Sequence, residues 1–118
     1  MSEETLRTSL ISIATELFRF QSVFEKATGK LDADDQRKYQ SQFAWFTKKV
    51  NRALDDAGIR LVGLDGQKYD PGMAVAPLNI DEFEIEDKLY VAQTIEPIIM
   101  QQDKVIKTGT VILGRAEK

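Results

Sequence analysis

The chain contains neither histidine nor cysteine, and the two absences together remove most catalytic templates. Without them there is no disulfide, no thiolate nucleophile, no Cys/His zinc site and no imidazole acid or base. Serines are present, but no histidine can activate one, and the Ser-x-x-Lys spacing of the known Ser-Lys enzymes does not occur. Long apolar runs are missing too: stretches such as Ile98-Ile99-Met100 fall far short of the roughly 20 residues that span a bilayer. The opening Met1 to Leu10 is acidic and polar, without the basic and apolar regions of a signal peptide, so a cytoplasmic protein with no membrane association is expected. Excess positive charge is also absent. Sixteen Lys and Arg stand against nineteen Asp and Glu, a net charge of -3, which weighs against nucleic acid as a partner.

Glycine and proline are unevenly spread. Gly29 is the one glycine before Gly58, and no proline precedes it; all three prolines lie beyond. The punctuation divides the chain into residues 1–58 and 59–118. In the first part Leu6, Leu10, Ile13, Leu17, Phe20 and Phe24 recur in steps of four and three, the stripe of an amphipathic helix. A flanking row, Ile11, Ala14 and Phe18, widens that face beyond a two-stranded seam, so the helix calls for more than one neighbour. Ser2 suits the N-cap, Glu3 and Glu4 suit the first turn, and Gly29 is expected to end the helix in a left-handed conformation.

Tyr39, Phe43, Phe46, Val50, Ala53 and Ala57 repeat the spacing in a second helix, with Asp32 as N-cap and Gly58 as the stop. A connection this short makes the two helices antiparallel neighbours. Their surplus apolar width, with Trp45 and Leu54 off the stripe, suggests that two hairpins pair into a dimeric four-helix bundle. Leu10, Ile13, Leu17, Phe20, Phe24, Phe43, Phe46 and Val50 are then the dimerisation and core positions. Trp45 is read as core as well.

Beyond Gly58 the period shortens to β-like runs at Ile59–Leu64, Met73–Leu78, Lys88–Thr94, Ile95–Met100, Val105–Lys107 and Thr110–Leu113. Asp65-Gly66 reads as a hairpin turn, Tyr69 to Gly72 as a turn, Gln102-Asp103 as another hairpin, and Thr108-Gly109 as a bulge or tight turn. Pro77 and Pro97 belong on an edge or at a bend. Asn79 to Asp87 carries five carboxylates and reads as an exposed loop pinned by Ile80, Phe83 and Ile85. The expected class is therefore α+β: two long antiparallel helices followed by a small all-β domain.

Each chemical motif has a plain structural reading beside it. The carboxylates from Asp81 to Asp87 read as a solvated run, since a glycosidase pair needs a sugar cleft and not merely a spacing. Asp32, Asp34 and Asp35 resemble the start of a calcium loop, but Arg37 and Phe43 stand where its glycine and glutamate belong. Gly63 to Gly66 fits neither a dinucleotide nor a P-loop pattern. Lys48, Lys49 and Arg52, followed by Asp55 and Asp56, read as a solvated helix surface. Elimination points to a protein that acts by binding another macromolecule, and the expectation is no enzyme activity and no cofactor or metal, an enzyme working with carboxylates or a lysine alone being the minor alternative.

Several short motifs carry a resemblance. Gly58-Ile59 through Leu61-Val62, Tyr69-Asp70-Pro71, Ala74-Val75, Ile99-Met100-Gln101, Ile106, and Gly109 with Val111 follow one another in an order that resembles the GrpE-type nucleotide exchange factors of DnaK-type chaperones. The resemblance covers roughly residues 40 to 115. It implies a homodimer whose β domain binds the ATPase domain of a DnaK-type chaperone and favours its open, ADP-releasing state. It further implies partner contacts at Met100, Lys104, Lys107, Gly109 and Thr110. The chain departs from the family in several places. Asp103-Lys104 replaces the family's Gly-Tyr, Met73 stands near its His-Glu, Thr110 replaces an arginine, and the long N-terminal stalk is expected to be absent. The alternative is a scaffold or adaptor subunit that keeps this architecture without exchange activity.

Overall fold

A computed structural model describes residues 2–116. The order of elements is α1 (Glu3–Thr28), α2 (Ala33–Asp56), β1 (Ile59–Val62), β2 (Val75–Pro77), a single 3-10 turn (Ile80–Glu82), β3 (Leu89–Glu96), β4 (Ile98–Gln101), β5 (Lys104–Lys107) and β6 (Gly109–Arg115). This is the α+β class. The chain separates into two compact units, Met1–Arg60 and Leu61–Lys118, a break two residues beyond Gly58.

In the helical unit the caps fall where the residue types place them. The Ser2 hydroxyl accepts from the Thr5 amide at 3.1 Å and the Asp32 carboxylate from the Asp35 amide at 2.9 Å, each filling one of the donors a helix start leaves unpaired. The two helix ends differ. Gly58 is left-handed, with φ 74°, and its amide bonds to the Asp55 carbonyl at 2.9 Å. Gly29 is not: it stays right-handed at φ -62°. The chain turns instead through Lys30 and Leu31, whose amides reach the Ala27 and Thr28 carbonyls at 3.3 and 3.1 Å. A 3-10-like last turn thus replaces the glycine cap.

Four rings link the two helices. Phe24 of α1 stacks on Phe43 of α2 at 4.5 Å between centroids, with Phe20 6.3 Å from Phe24 and Phe46 6.1 Å from Phe43. Yet the predicted stripe is not the most buried row. Ala14 and Thr15 are buried and Ile11 and Phe18 half-buried, on a face of α1 about 130° round from the stripe at 100° per residue. Ile13, Phe20 and Phe46 remain exposed at 60, 49 and 43 %. Leu10, Leu17, Phe24, Phe43 and Val50 are half-buried.

The β unit, with β1 straddling its boundary at Arg60, has two three-stranded sheets, ordered β1-β4-β5 and β2-β6-β3. Its core is Leu64, Val91, Ile98, Val111 and Leu113, with Tyr69, Met73, Val75, Phe83, Leu89 and Met100 packed against it. β6 is central, parallel to β2 and antiparallel to β3. Two register shifts, at Ala92 and Ile95, bulge β3 against β6. Each adds local twist and a bend. β3 therefore runs on through Ile95 to Glu96, and the break comes at Pro97 rather than after Thr94, because proline has no amide to continue the ladder. Pro77 ends β2, an edge strand.

Side chains replace missing ladder bonds at two places. Asn79 pairs both ways with Leu113, its amide nitrogen donating to the carbonyl at 3.0 Å and its oxygen accepting from the backbone amide at 2.9 Å. It acts as a rung of the strand beyond Pro77. Asp65 accepts from the Thr94 amide at 2.7 Å while the Thr94 hydroxyl accepts from the Leu64 amide at 3.0 Å. Asp65-Gly66 therefore closes no hairpin. Gly66, at φ 84°, and Gln67 lie alongside β3, bonded to Val91 at 2.7 and 2.8 Å, and β1 and β2 belong to different sheets. Gln102-Asp103 does close the β4-β5 hairpin, Gln102 taking φ 55°. The Asp70 turn forms as well, with the Met73 amide on the Asp70 carbonyl at 2.9 Å.

The acidic loop corrects one expectation. Phe83 packs on the core, but Ile80 is 41 % exposed and Ile85 wholly so. The cause is a turn in which the Asp87 carboxylate accepts from the Glu84 amide at 2.9 Å and carries Ile85 outward. Arg115 holds the base of the loop, 3.1 Å from Asp87 and over the Phe83 ring.

Candidate functional site

Three of the five residues assigned to partner contact, Met100, Lys104 and Lys107, lie on the β4-β5 hairpin, and the other two, Gly109 and Thr110, open β6. Met100 on β4 is half-buried against the core. Lys104 and Lys107 begin and end β5, an edge strand exposed along its whole length. The register shift between Ile99 and Met100 makes Ile106 a bulge in that strand. A bulged edge flanked by lysines discourages pairing with another strand, so recognition there falls to side chains.

Glu96, which no motif singles out, draws two of these residues together. One carboxylate oxygen accepts from the Thr110 hydroxyl at 3.2 Å, and the other lies 4.0 Å from the Lys107 ammonium. Lys107 is half-exposed and Glu96 about one-third exposed, so the pair orients the lysine more than it stabilises the fold. Gly109 plays another part. It is buried, its amide bonds to the Ala74 carbonyl at 2.9 Å, and a Cβ there would lie 2.9 Å from the Glu96 carbonyl oxygen. Only glycine lets β6 start this close to the β3-β4 corner. Thr110 and Lys107 thus present polar atoms around Glu96, while Gly109 shapes the backbone beneath them.

The second surface belongs to the helices. The ring row Phe20, Phe24, Phe43 and Phe46 ends in two half-exposed phenylalanines, and Leu6 and Ile13 extend it along α1 at 55 and 60 % exposure. A groove of about 760 Å³ opens between α1 and α2, with Phe24, Phe43 and Ala44 among its apolar walls and Lys48, Arg52, Glu25 and Asp55 among its charged ones. Trp45 is not core: it is 63 % exposed, with the Lys49 ammonium 4.7 Å from its ring centroid. Its position about 120° round α2 from the stripe, against about 60° for Leu54, was the available signal. Leu54, also off the stripe, is buried.

Among the described residues no three His, Cys, Asp or Glu side chains gather in a way that could hold a metal ion. No helix among them is long and apolar enough to cross a membrane. No protein-family model, curated protein or solved structure matches the chain.

Proposed function

We propose that the chain is a GrpE-like co-chaperone, a homodimer that binds the ATPase domain of a DnaK-type chaperone and favours its open, ADP-releasing state. The observation that carries this reading is the succession of two helices of 26 and 24 residues by a β unit in which the Ile99-Met100-Gln101 strand, Ile106 and Gly109 follow in the family's order. The half-exposed phenylalanine row supplies a self-complementary apolar face for a twofold dimer. Lys107 and Thr110, set around Glu96, supply a polar face for the ATPase, and half-buried Met100 on β4, the strand paired with β5, supplies an adaptable contact.

The mechanism requires no catalytic residue. A factor that binds the open form of the ATPase more tightly than the closed, nucleotide-bound form weakens nucleotide affinity by the same factor as nucleotide weakens its own. Speeding ADP loss about 1,000-fold through weakened binding needs about 4 kcal/mol of differential affinity, which a few buried anchors can supply. Release of a fluorescent ADP analogue from the DnaK-type ATPases of the same host, with and without the chain, tests the reading. Accelerated release supports it; no binding and no change across those ATPases refutes it. Thr110, standing where the family carries arginine, favours a second reading, a scaffold subunit that binds without exchanging. Binding without acceleration is its signature.

A further inference from the structure

We infer that the outer face of α2 around Trp45 is a docking surface for a short acidic peptide segment of a protein partner. Lys38, Trp45, Lys49 and Arg52 fall in steps of seven, four and three, within about 60° of one another on the helix and over about 21 Å of its length, Arg52 standing where the row meets the rim of the α1-α2 groove. The row lies about 120° round from Tyr39, Phe43, Phe46 and Val50 and nearly opposite the buried Leu54. A second copy seated on the phenylalanine row therefore leaves Trp45 in water, and the inference stands independently of the chaperone reading.

The charges are uncommitted. Among the described residues none of Lys38, Lys48, Lys49 and Arg52 makes an ion pair, whereas Asp34, on the same side, is held by Arg37 at 3.1 Å. Lys38 lies 5.9 Å from the Tyr39 ring and Lys49 4.7 Å from Trp45, so both cations rest on aromatic faces and keep their outer hydrogens for an acceptor. An exposed tryptophan set among cations offers an apolar plate ringed by donors, the kind of anchor that dominates binding hot spots.

Length and flanking charge select the occupant. Asp34 and Asp35 close the row at one end, and Asp55 and Asp56 at the other. An extended peptide of about six residues covers roughly 20 Å and ends before reaching either pair. A polyphosphate backbone would run on into the carboxylates, and an anionic membrane would meet one apolar side chain and a chain of net charge -3. An acidic segment with one bulky apolar residue matches both the cations and Trp45.

Trp45 is the chain's single tryptophan, so its emission reports the site alone. The full chain is titrated with the capped peptide Glu-Glu-Phe-Glu-Glu-Leu, its Gln-for-Glu counterpart, a thymidine oligonucleotide, and vesicles of phosphatidylglycerol. The acidic peptide is expected to shift Trp45 emission to shorter wavelength, with affinity falling several-fold as salt rises from about 0.05 to about 0.3 M. Lys49→Glu combined with Arg52→Glu should weaken it about tenfold or more while the far-ultraviolet circular dichroism stays unchanged. The inference fails if the acidic peptide leaves the emission unmoved at millimolar concentration, if the Gln peptide binds equally well, or if only the oligonucleotide or the vesicles bind. These outcomes are separate from ADP release, so either reading can fall without the other.

Discussion

Replacing Phe46 by alanine tests whether the exposed phenylalanine row joins two copies of the chain. Phe46 is 43 % exposed in the single chain. For an aromatic side chain of about 200 Å², that leaves roughly 85 Å² in water. Burying it against a partner is worth about 2 kcal/mol at 25 cal/mol per Å². In a twofold dimer both copies lose the ring, so the change approaches about 4 kcal/mol, or about 3 once the retained Cβ is allowed for. Phe46→Ala should therefore raise the dimer Kd by about 100- to 1,000-fold. Sedimentation equilibrium over a dilution series measures this directly. Circular dichroism of the variant should hold its helical signal, since alanine favours the helix more than phenylalanine does. A wild-type chain that stays monomeric at tens of micromolar, or a variant whose Kd moves less than about threefold, refutes the dimer seam.

Three further substitutions probe the fold. Gly58→Ala places a side chain at φ 74° with no atom within 4 Å of its Cβ, so the cost is conformational alone, about 1 to 2 kcal/mol in urea unfolding; an unchanged midpoint contradicts the left-handed helix end. Asn79→Ala strands the amide and carbonyl of buried Leu113 and should cost about 1 to 3 kcal/mol, with faster hydrogen exchange at the Leu113 amide; unaltered exchange removes the clamp. Gly114→Ala brings a Cβ within 2.8 Å of the outer end of the exposed Tyr90 ring across the β3-β6 pair, so the ring must swing aside and the cost should stay at about 1 kcal/mol. Combining it with Tyr90→Ala should cost less than the sum of the two single changes; strict additivity means that the ring does not sit there.

Features that depend on a few neighbouring residues were legible in the sequence. The four-three steps of Leu6 to Phe24 and Tyr39 to Ala57 became helices, Ser2 and Asp32 became their caps, and Gln102-Asp103 became a hairpin turn. Gly29 misled because a right-handed 3-10 turn through Lys30 and Leu31 satisfies the last carbonyls, those of Ala27 and Thr28, without a left-handed glycine. The rest of the β unit depends on bonds between distant residues. Asp65 meets Thr94 across 29 positions and Asn79 meets Leu113 across 34, distances no local pattern records. The candidate sites divide in the same way. Lys104, Lys107 and Thr110 could be named from motif order, whereas Glu96, which gathers two of them, became visible only when β3, β5 and β6 were set in space.

The acidic loop is fixed at both ends and open between them. Asn79 fastens its start to β6, while Arg115 and the bond from the Ala116 amide to the Lys88 carbonyl, at 2.7 Å, fasten its close. The peptide around Ile85 therefore carries none of the ladder, and doubling its length costs only about 0.6 kcal/mol in closure entropy. A tag or fluorophore grafted at Ile85 leaves the sheet register intact. A protease that cuts there produces two fragments that stay assembled, because β2 and β3, on opposite sides of the cut, both remain zipped to β6.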